Sequence, residues 1–273
     1  MSRIAITGSG GRIGRSLRAR LGAAGAGHEL VLVDVVDQER ASLGPGRDGP
    51  DGPRERVVRA DIADIDAMTD AFAGADLVVH LAGFPEEREW DDILRVNIDG
   101  THAVCEAARR AGVPRLLLAS SVHAVGYVPV TDARDEVVHP RPDTFYGVSK
   151  AAVEALGSVY ADRFGLLVIA ARIMTFEPRP STARSLSTWL SEDDMARMVV
   201  AALTTSATGS HVIWGVSRNT RRYVSLVAGS TIGFEPQDDA ELFVADIADP
   251  SATPPALGGT FVDVEHPLGE NWV

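Results

Sequence analysis

From its start to about residue 171 the chain alternates short apolar runs with longer segments in which apolar residues recur at helical spacing. The runs Ile4–Thr7, Leu30–Val33, Val57–Arg59, Leu77–His80, Leu116–Ala119 and Leu167–Ala171 are mostly unbroken Val, Leu, Ile and Ala. That is the pattern of strands buried on both faces of a parallel sheet, since an exposed face would show polar alternation. The segments Arg12–Ala24, Ile65–Phe72, Trp90–Ala111 and Tyr146–Phe164 read as helices. Regular strand–helix alternation predicts an α/β fold, a doubly wound parallel sheet with right-handed crossovers. Ser42–Arg54, rich in Gly, Pro and Asp, is predicted to be a surface loop. After Arg172 the alternation loosens. Ser191-Glu192-Asp193-Asp194 has the form of a capping box opening a helix through Leu203, and His211–Trp214 reads as a further strand.

The turn after the first strand is Thr7-Gly8-Ser9-Gly10-Gly11-Arg12-Ile13-Gly14. Glycines at 8, 11 and 14, with Gly10 between, let the backbone turn tightly and approach a pyrophosphate. Its charge then meets the amides and dipole at the helix N-terminus. The strand–turn–helix context separates this motif from an ordinary glycine turn. It makes Gly8, Gly10, Gly11, Arg12, Ile13 and Gly14 candidate cofactor contacts in a Rossmann fold. Asp34 closes the second strand, 20 residues after Gly14. A carboxylate there can accept from ribose hydroxyls and repel a 2′-phosphate, which favours NAD over NADP; the alternative is a strand-end acid facing water. Arg40 is the nearest basic residue that could serve NADP. Asp61 and Ile62, after the third strand, could flank the adenine, or Asp61 could cap the next helix.

Tyr146-Gly147-Val148-Ser149-Lys150 places a phenol and an amine four residues apart, on one face of a helix. A cation beside a phenol stabilises the phenolate and makes Tyr146 a usable base near neutrality. Ser121, at the end of the preceding strand, can hydrogen-bond the reacting oxygen, with Ser120 as the alternative.

Together these features resemble the short-chain dehydrogenase/reductase superfamily, in particular its extended branch of NAD-dependent epimerases and dehydratases. His80-Leu81-Ala82-Gly83 and Val96-Asn97 followed by Gly100-Thr101 add to the likeness, which covers residues 1 to about 175. The resemblance implies hydride transfer at a nicotinamide, with Tyr146 as acid/base, Lys150 holding the ribose and Ser121 polarising the substrate oxygen. It also implies Leu81, Ala82 and Gly83 at the cofactor and Asn97 as a helix-lining, water-holding residue, or else a helix-kink amide. Residues 1–175 would form the dinucleotide-binding domain. Residues 176–273 would add a small C-terminal substrate lobe and the final sheet elements, all in one compact unit.

The second half, with Arg184–Trp189, Trp214-Gly215, Gly233-Phe234 and Gly258–Asp263, resembles the uronate dehydrogenases. Those enzymes oxidise the anomeric carbon of glucuronate or galacturonate to an aldaric lactone. By that likeness Arg184 would clamp a carboxylate, a bidentate task suited to guanidinium, or else support a helix start. Phe261 would close over the nicotinamide end, from its own or a neighbouring subunit. Val122, His123 and Thr175 would join Ser121 and Tyr146 around the sugar. The pattern departs at Pro85, where a small polar contact is expected, at Val122, where the family tends to carry Asn, and at Thr175 in place of Ser. A sugar-nucleotide epimerase or dehydratase shares the Tyr/Lys/Ser set. A non-catalytic NAD-sensing regulator would typically lack the Tyr or the Lys.

Composition narrows the class further. The 273 residues carry 38 acidic and 26 basic groups, a net charge of −12, which does not favour nucleic acid as a partner. A single cysteine, Cys105, excludes an intrachain disulfide and reads as inert helix core. The seven histidines show no ligand spacing, so no metal is expected. No apolar run is long enough to span a bilayer, and the first residues read as a strand, so the cytoplasm is the expected location. The two long helices could pair with a second subunit, making a homo-oligomer the expectation.

Overall fold

The computed structural model describes residues 2–22, 27–38, 54–134 and 138–272. Arg40, Ala24 and the predicted loop up to Pro53 lie outside the described residues. The strands are β1 Ser2–Thr7, β2 His28–Asp34, β3 Arg54–Arg59, β4 Leu77–His80, β5 Arg115–Ser121, β6 Leu167–Ile173, β7 Thr175–Phe176, β8 Trp189–Leu190 and β9 Ser210–Gly215. The helices are α1 Arg12–Leu21, α2 Ile65–Phe72, α3 Trp90–Asp92, α4 Gly100–Arg110, α5 Phe145–Phe164, α6 Ser185–Thr188, α7 Glu192–Thr204 and α8 Val227–Ser230. One seven-stranded sheet runs β3-β2-β1-β4-β5-β6-β9, all its pairs parallel, and β7 with β8 makes a separate ribbon. Strand order reverses between β1 and β4, and in such sheets ligands bind in the crevice outside the carboxyl ends at that reversal.

The unbroken apolar runs follow from burial on both sides. Ile4, Ile6, Leu30, Leu32, Leu77 and Val79 face one core with Leu17 of α1 and Met198 and Val199 of α7. Ala5, Val31, Val33, Val78, Leu116 and Leu118 face the other, with Met68 of α2, Val104 of α4 and Tyr160 of α5. Cys105 lies buried in that second core, where burial pushes its thiol up to about 12.

Helix ends obey local rules. The Thr144 side chain accepts from Gly147 N–H at the start of α5, and Gly165 ends that helix in the left-handed region. The capping box at α7 is half made: Ser191 accepts from Asp194 N–H, but the Asp194 carboxylate turns to Arg197 and the Gln237 and Asp238 amides. The predicted helix Trp90–Ala111 contains a π-helical segment, Ile93–Asp99, between α3 and α4.

Glu154 of α5 and Arg172 of β6 form a bidentate pair at 2.8 Å, each side chain 7% exposed, with Ser120 Oγ donating to Glu154 at 2.7 Å. Removing one partner leaves a buried charge alone. Arg172→Met should therefore cost about 3–5 kcal/mol of stability, read as a lower urea midpoint at an unchanged slope.

Candidate active site

The glycine turn packs tightly on its own backbone and on the loop after β4. Gly8 sits at φ +68°, and a Cβ there would stand 2.6 Å from the Ala82 amide. A Cβ at Gly14 would stand 2.5 Å from Ser9 Cα, so α1 can start against the turn only because that position is bare. Gly11 N–H donates to Gly8 O at 3.0 Å, and Gly11 caps α1 with no side-chain hydrogen bond. Among the described residues no side chain takes that cap. Asp34 folds back onto the turn, accepting from Gly10 N–H at 2.8 Å and Val36 N–H at 3.2 Å. A bare turn, a helix start without a capping side chain and a carboxylate at the end of β2 fit a dinucleotide's pyrophosphate and ribose. Arg12 donates to Phe176 O at 3.1 Å, tying the turn to β7, while Ile13 packs on the core.

Beyond β3, Asp61 is exposed and accepts from Ala63 N–H. The cap of α2 is Asp64, which accepts from Ala67 N–H. Ile62 is buried against Gly100, with its Cδ1 2.6 Å from where a Cβ would lie. After β4, Leu81, Ala82 and Gly83 pass beside the turn; Leu81 N–H donates to Thr7 O at 3.1 Å. His80 is clamped between Thr7 Oγ1 at 2.7 Å and Thr101 Oγ1 at 3.1 Å. Burial, then the Lys150 charge, pulls it down to about 3, so it is a neutral brace at the point where strand order reverses. Asn97 is 1% exposed in the π-helical segment. Its Oδ1 accepts from Phe84 N–H, and its Nδ2 donates to Phe84 O and Ser149 Oγ. It joins the β4 loop to α5.

Of the two serines ending β5, Ser120 is engaged by Glu154, whereas Ser121 hydrogen-bonds Tyr146. Lys150 Nζ donates to Ala119 O at 2.8 Å and lies 5.5 Å from the Tyr146 ring centroid. The expectation that this cation alone would ready the phenol needs correction. In the protein by itself burial dominates and pushes Tyr146 up to about 12, against the Ser121 bond, with Asp143 and Glu86 adding to the rise. Burial likewise brings Lys150 down to about 8.

Beyond Tyr146, His123 stacks on Phe261 of the same chain, centroids 3.9 Å apart, and lies 5.7 Å from the Tyr146 ring. Arg184 is partly buried. Its Nη1 donates to Thr175 Oγ1 at 3.2 Å and its Nη2 to Leu257 O at 2.8 Å, while Nε has no partner among the described residues. Burial pulls its pKa down, and Tyr223 and Asp143 push it back up. Arg184 also stands at the N-cap position of α6. Thr175 also shares a 2.7 Å hydrogen bond with Thr188. Val122 is set apart from the polar group; its side chain is buried in an apolar cluster with Met174 and Trp214. Pro85 is exposed in the loop after β4.

Sequence patterns gave no sign of three contributors. Glu87, wholly buried, accepts from the Phe145, Tyr146 and Gly269 amides and so ties the start of α5 to the C-terminal segment. Trp272 packs edge-on against Phe261 at 4.7 Å. Tyr223 Oη is buried without a partner among the described residues.

A family model described as the NAD dependent epimerase/dehydratase family matches residues 4–185. The chain belongs to that family. Among members, the uronate dehydrogenase of Pseudomonas syringae pv. tomato is 35% identical, the match covering 98% of this chain and 96% of that one. The uronate dehydrogenase of Agrobacterium fabrum is 37% identical, over 96% and 97%. A solved structure of an Agrobacterium tumefaciens uronate dehydrogenase variant complexed with NAD superposes with a TM-score of 0.86 at 35% identity, covering 99% of this chain and 100% of that one. Among the described residues of this family member no group of three or more His, Cys, Asp or Glu could hold a metal ion. No helix among them is long and apolar enough to cross a membrane.

Proposed function

We propose that this protein is an NAD-dependent dehydrogenase that oxidises the anomeric carbon of a uronic acid, of the glucuronate or galacturonate type, to an aldaric lactone. The observation that carries the reading is Arg184, a partly buried cation whose Nε has no partner among the described residues, hydrogen-bonded to Thr175 and the Leu257 carbonyl and within the field of Asp143, the acid that holds His123. A cation held that rigidly suits a planar carboxylate.

When bound, NAD supplies the hydride acceptor. The chain's own residues do the rest. The turn at Gly8, Gly10, Gly11 and Gly14 receives the pyrophosphate, Asp34 accepts from the ribose, and Lys150 holds the nicotinamide ribose. Tyr146 Oη takes the proton of the anomeric hydroxyl as hydride leaves the same carbon, so the new C=O is that of the lactone. Ser121 donates to that oxygen. Thr175 and His123 contact sugar hydroxyls, and Phe261 covers the ring. Pro85 and Val122 supply no polar contact, so the sugar is gripped through Arg184 more than through its hydroxyls.

The test is an absorbance screen for NADH across glucuronate, galacturonate, neutral sugars and nucleotide sugars. NADH from a uronate is the expected result. Redox-neutral turnover of a nucleotide sugar, with no NADH, would make the protein an epimerase of the same family instead. Asp34→Ser should narrow the preference for NAD over NADP by about tenfold or more, read from the two kcat/KM values, because a charged acceptor is lost from the ribose side. A second copy of the chain would pair through α5, where Val159 and Phe164 stay 50% and 51% exposed. Sedimentation should then show a dimer that Phe164→Glu dissociates.

A further inference from the structure

Asp143 is as deeply buried as any acid in the protein, with a side chain 0% exposed, and the chemistry above gives it no task. Its Oδ2 accepts from His123 Nδ1 at 2.7 Å, and its Oδ1 accepts from Thr144 Oγ1 at 3.1 Å. Three glycines wall it in: a Cβ at Gly126 or Gly258 would overlap the carboxylate, and one at Gly147 would stand 2.9 Å from Oδ1. Gly258 N–H donates to Gly126 O at 2.9 Å and closes two of those walls together. The nest is therefore shaped to this one side chain.

His123 is also held by Ser121, Phe261 and Tyr146. Its backbone N–H donates to Ser121 Oγ at 3.3 Å, its ring lies on Phe261 at an interplanar angle of 24°, and it is tilted at 57° to the Tyr146 ring. Nε2 has no hydrogen-bond partner among the described residues. An ionised carboxylate can only accept, so the proton must sit on Nδ1. Turning the ring over would leave Asp143 buried without that bond.

We propose that Asp143 is a positioning residue that locks His123 in the tautomer protonated on Nδ1. Nε2 then becomes an acceptor for a hydroxyl of a sugar lying over Ser121 and Tyr146. The tautomer follows from the protein alone; the hydroxyl partner rests on the reading of the pocket as a sugar site. The arrangement selects for a hydroxyl donor at that ring position and against a carbonyl or ether oxygen.

Two measurements decide it, and they fail separately. In side-chain nitrogen-15 spectra at neutral pH, with the His123 signal assigned by its loss in His123→Gln, the native ring should carry its single proton on Nδ1. In Asp143→Asn the proton should move to Nε2, because the amide donates to Nδ1. A native proton on Nε2, or a doubly protonated native ring, overturns the proposal whatever the enzyme turns over. In kinetics, Asp143→Asn should raise the uronate KM by about tenfold while the NAD Kd stays put. The same substitution should add nothing in a His123→Gln background. An equal loss in both backgrounds would make Asp143 a purely structural acid. Should the native protein oxidise no uronate, the proposed function falls, and the nitrogen spectrum still settles the tautomer.

Discussion

Tyr146→Phe should lower turnover by about a hundred- to ten-thousandfold while leaving the NAD Kd unchanged, because one oxygen is lost and nothing else moves. The ring is 7% exposed and sits between Ser121 and the Lys150 amine, so the substitution removes the proton acceptor without opening a cavity. Burial holds the phenol at about 12 in the protein alone, so little phenolate is present at neutral pH and turnover should climb as pH rises. The sign is that of a base that must lose its proton before it can act. In the Phe variant the residual rate should lose that dependence. Stopped-flow NADH formation across pH, beside NAD titration by calorimetry, measures both; a variant that keeps native turnover removes Tyr146 from the chemistry.

Arg184→Ala should lower kcat/KM for a uronate by about a hundredfold, mainly through KM, since a charge-assisted bidentate contact to a carboxylate is lost. The guanidinium also ties β7 to the Leu257 carbonyl, so Arg184→Lys is the sharper variant: charge is kept and the planar fork is lost. Loss should then be large for a uronate and small for the corresponding neutral sugar. Equal losses on both would mean that Arg184 braces the lobe rather than reading a carboxylate.

The parallel sheet was legible because strands covered on both faces leave no polar alternation, and six of the seven strands lay in the predicted segments with the seventh at His211–Trp214. Edges were less so. β3 begins at Arg54 rather than Val57, since an edge strand pairs on one side only and tolerates Arg54, Glu55 and Arg56. The two-residue strands β7 and β8 are too short for any periodicity to show. In the pocket, the glycine turn and the Tyr146–Lys150 spacing are local patterns and could be read in advance. Glu87 and Asp143 could not: each lies in a loop without periodicity, and the partners that matter stand far off in sequence, 58 residues between Glu87 and Phe145 and 20 between His123 and Asp143. Asn97 was singled out, but its π-helical setting was not, because a single widened turn leaves the apolar rhythm on either side intact.

In the proposed reaction hydride leaves the carbon whose hydroxyl faces Tyr146. Glucuronate or galacturonate carrying deuterium at C1, incubated with NAD and the protein, should yield NADH bearing that deuterium in step with lactone. Unlabelled NADH, or no NADH from either sugar acid, would contradict it.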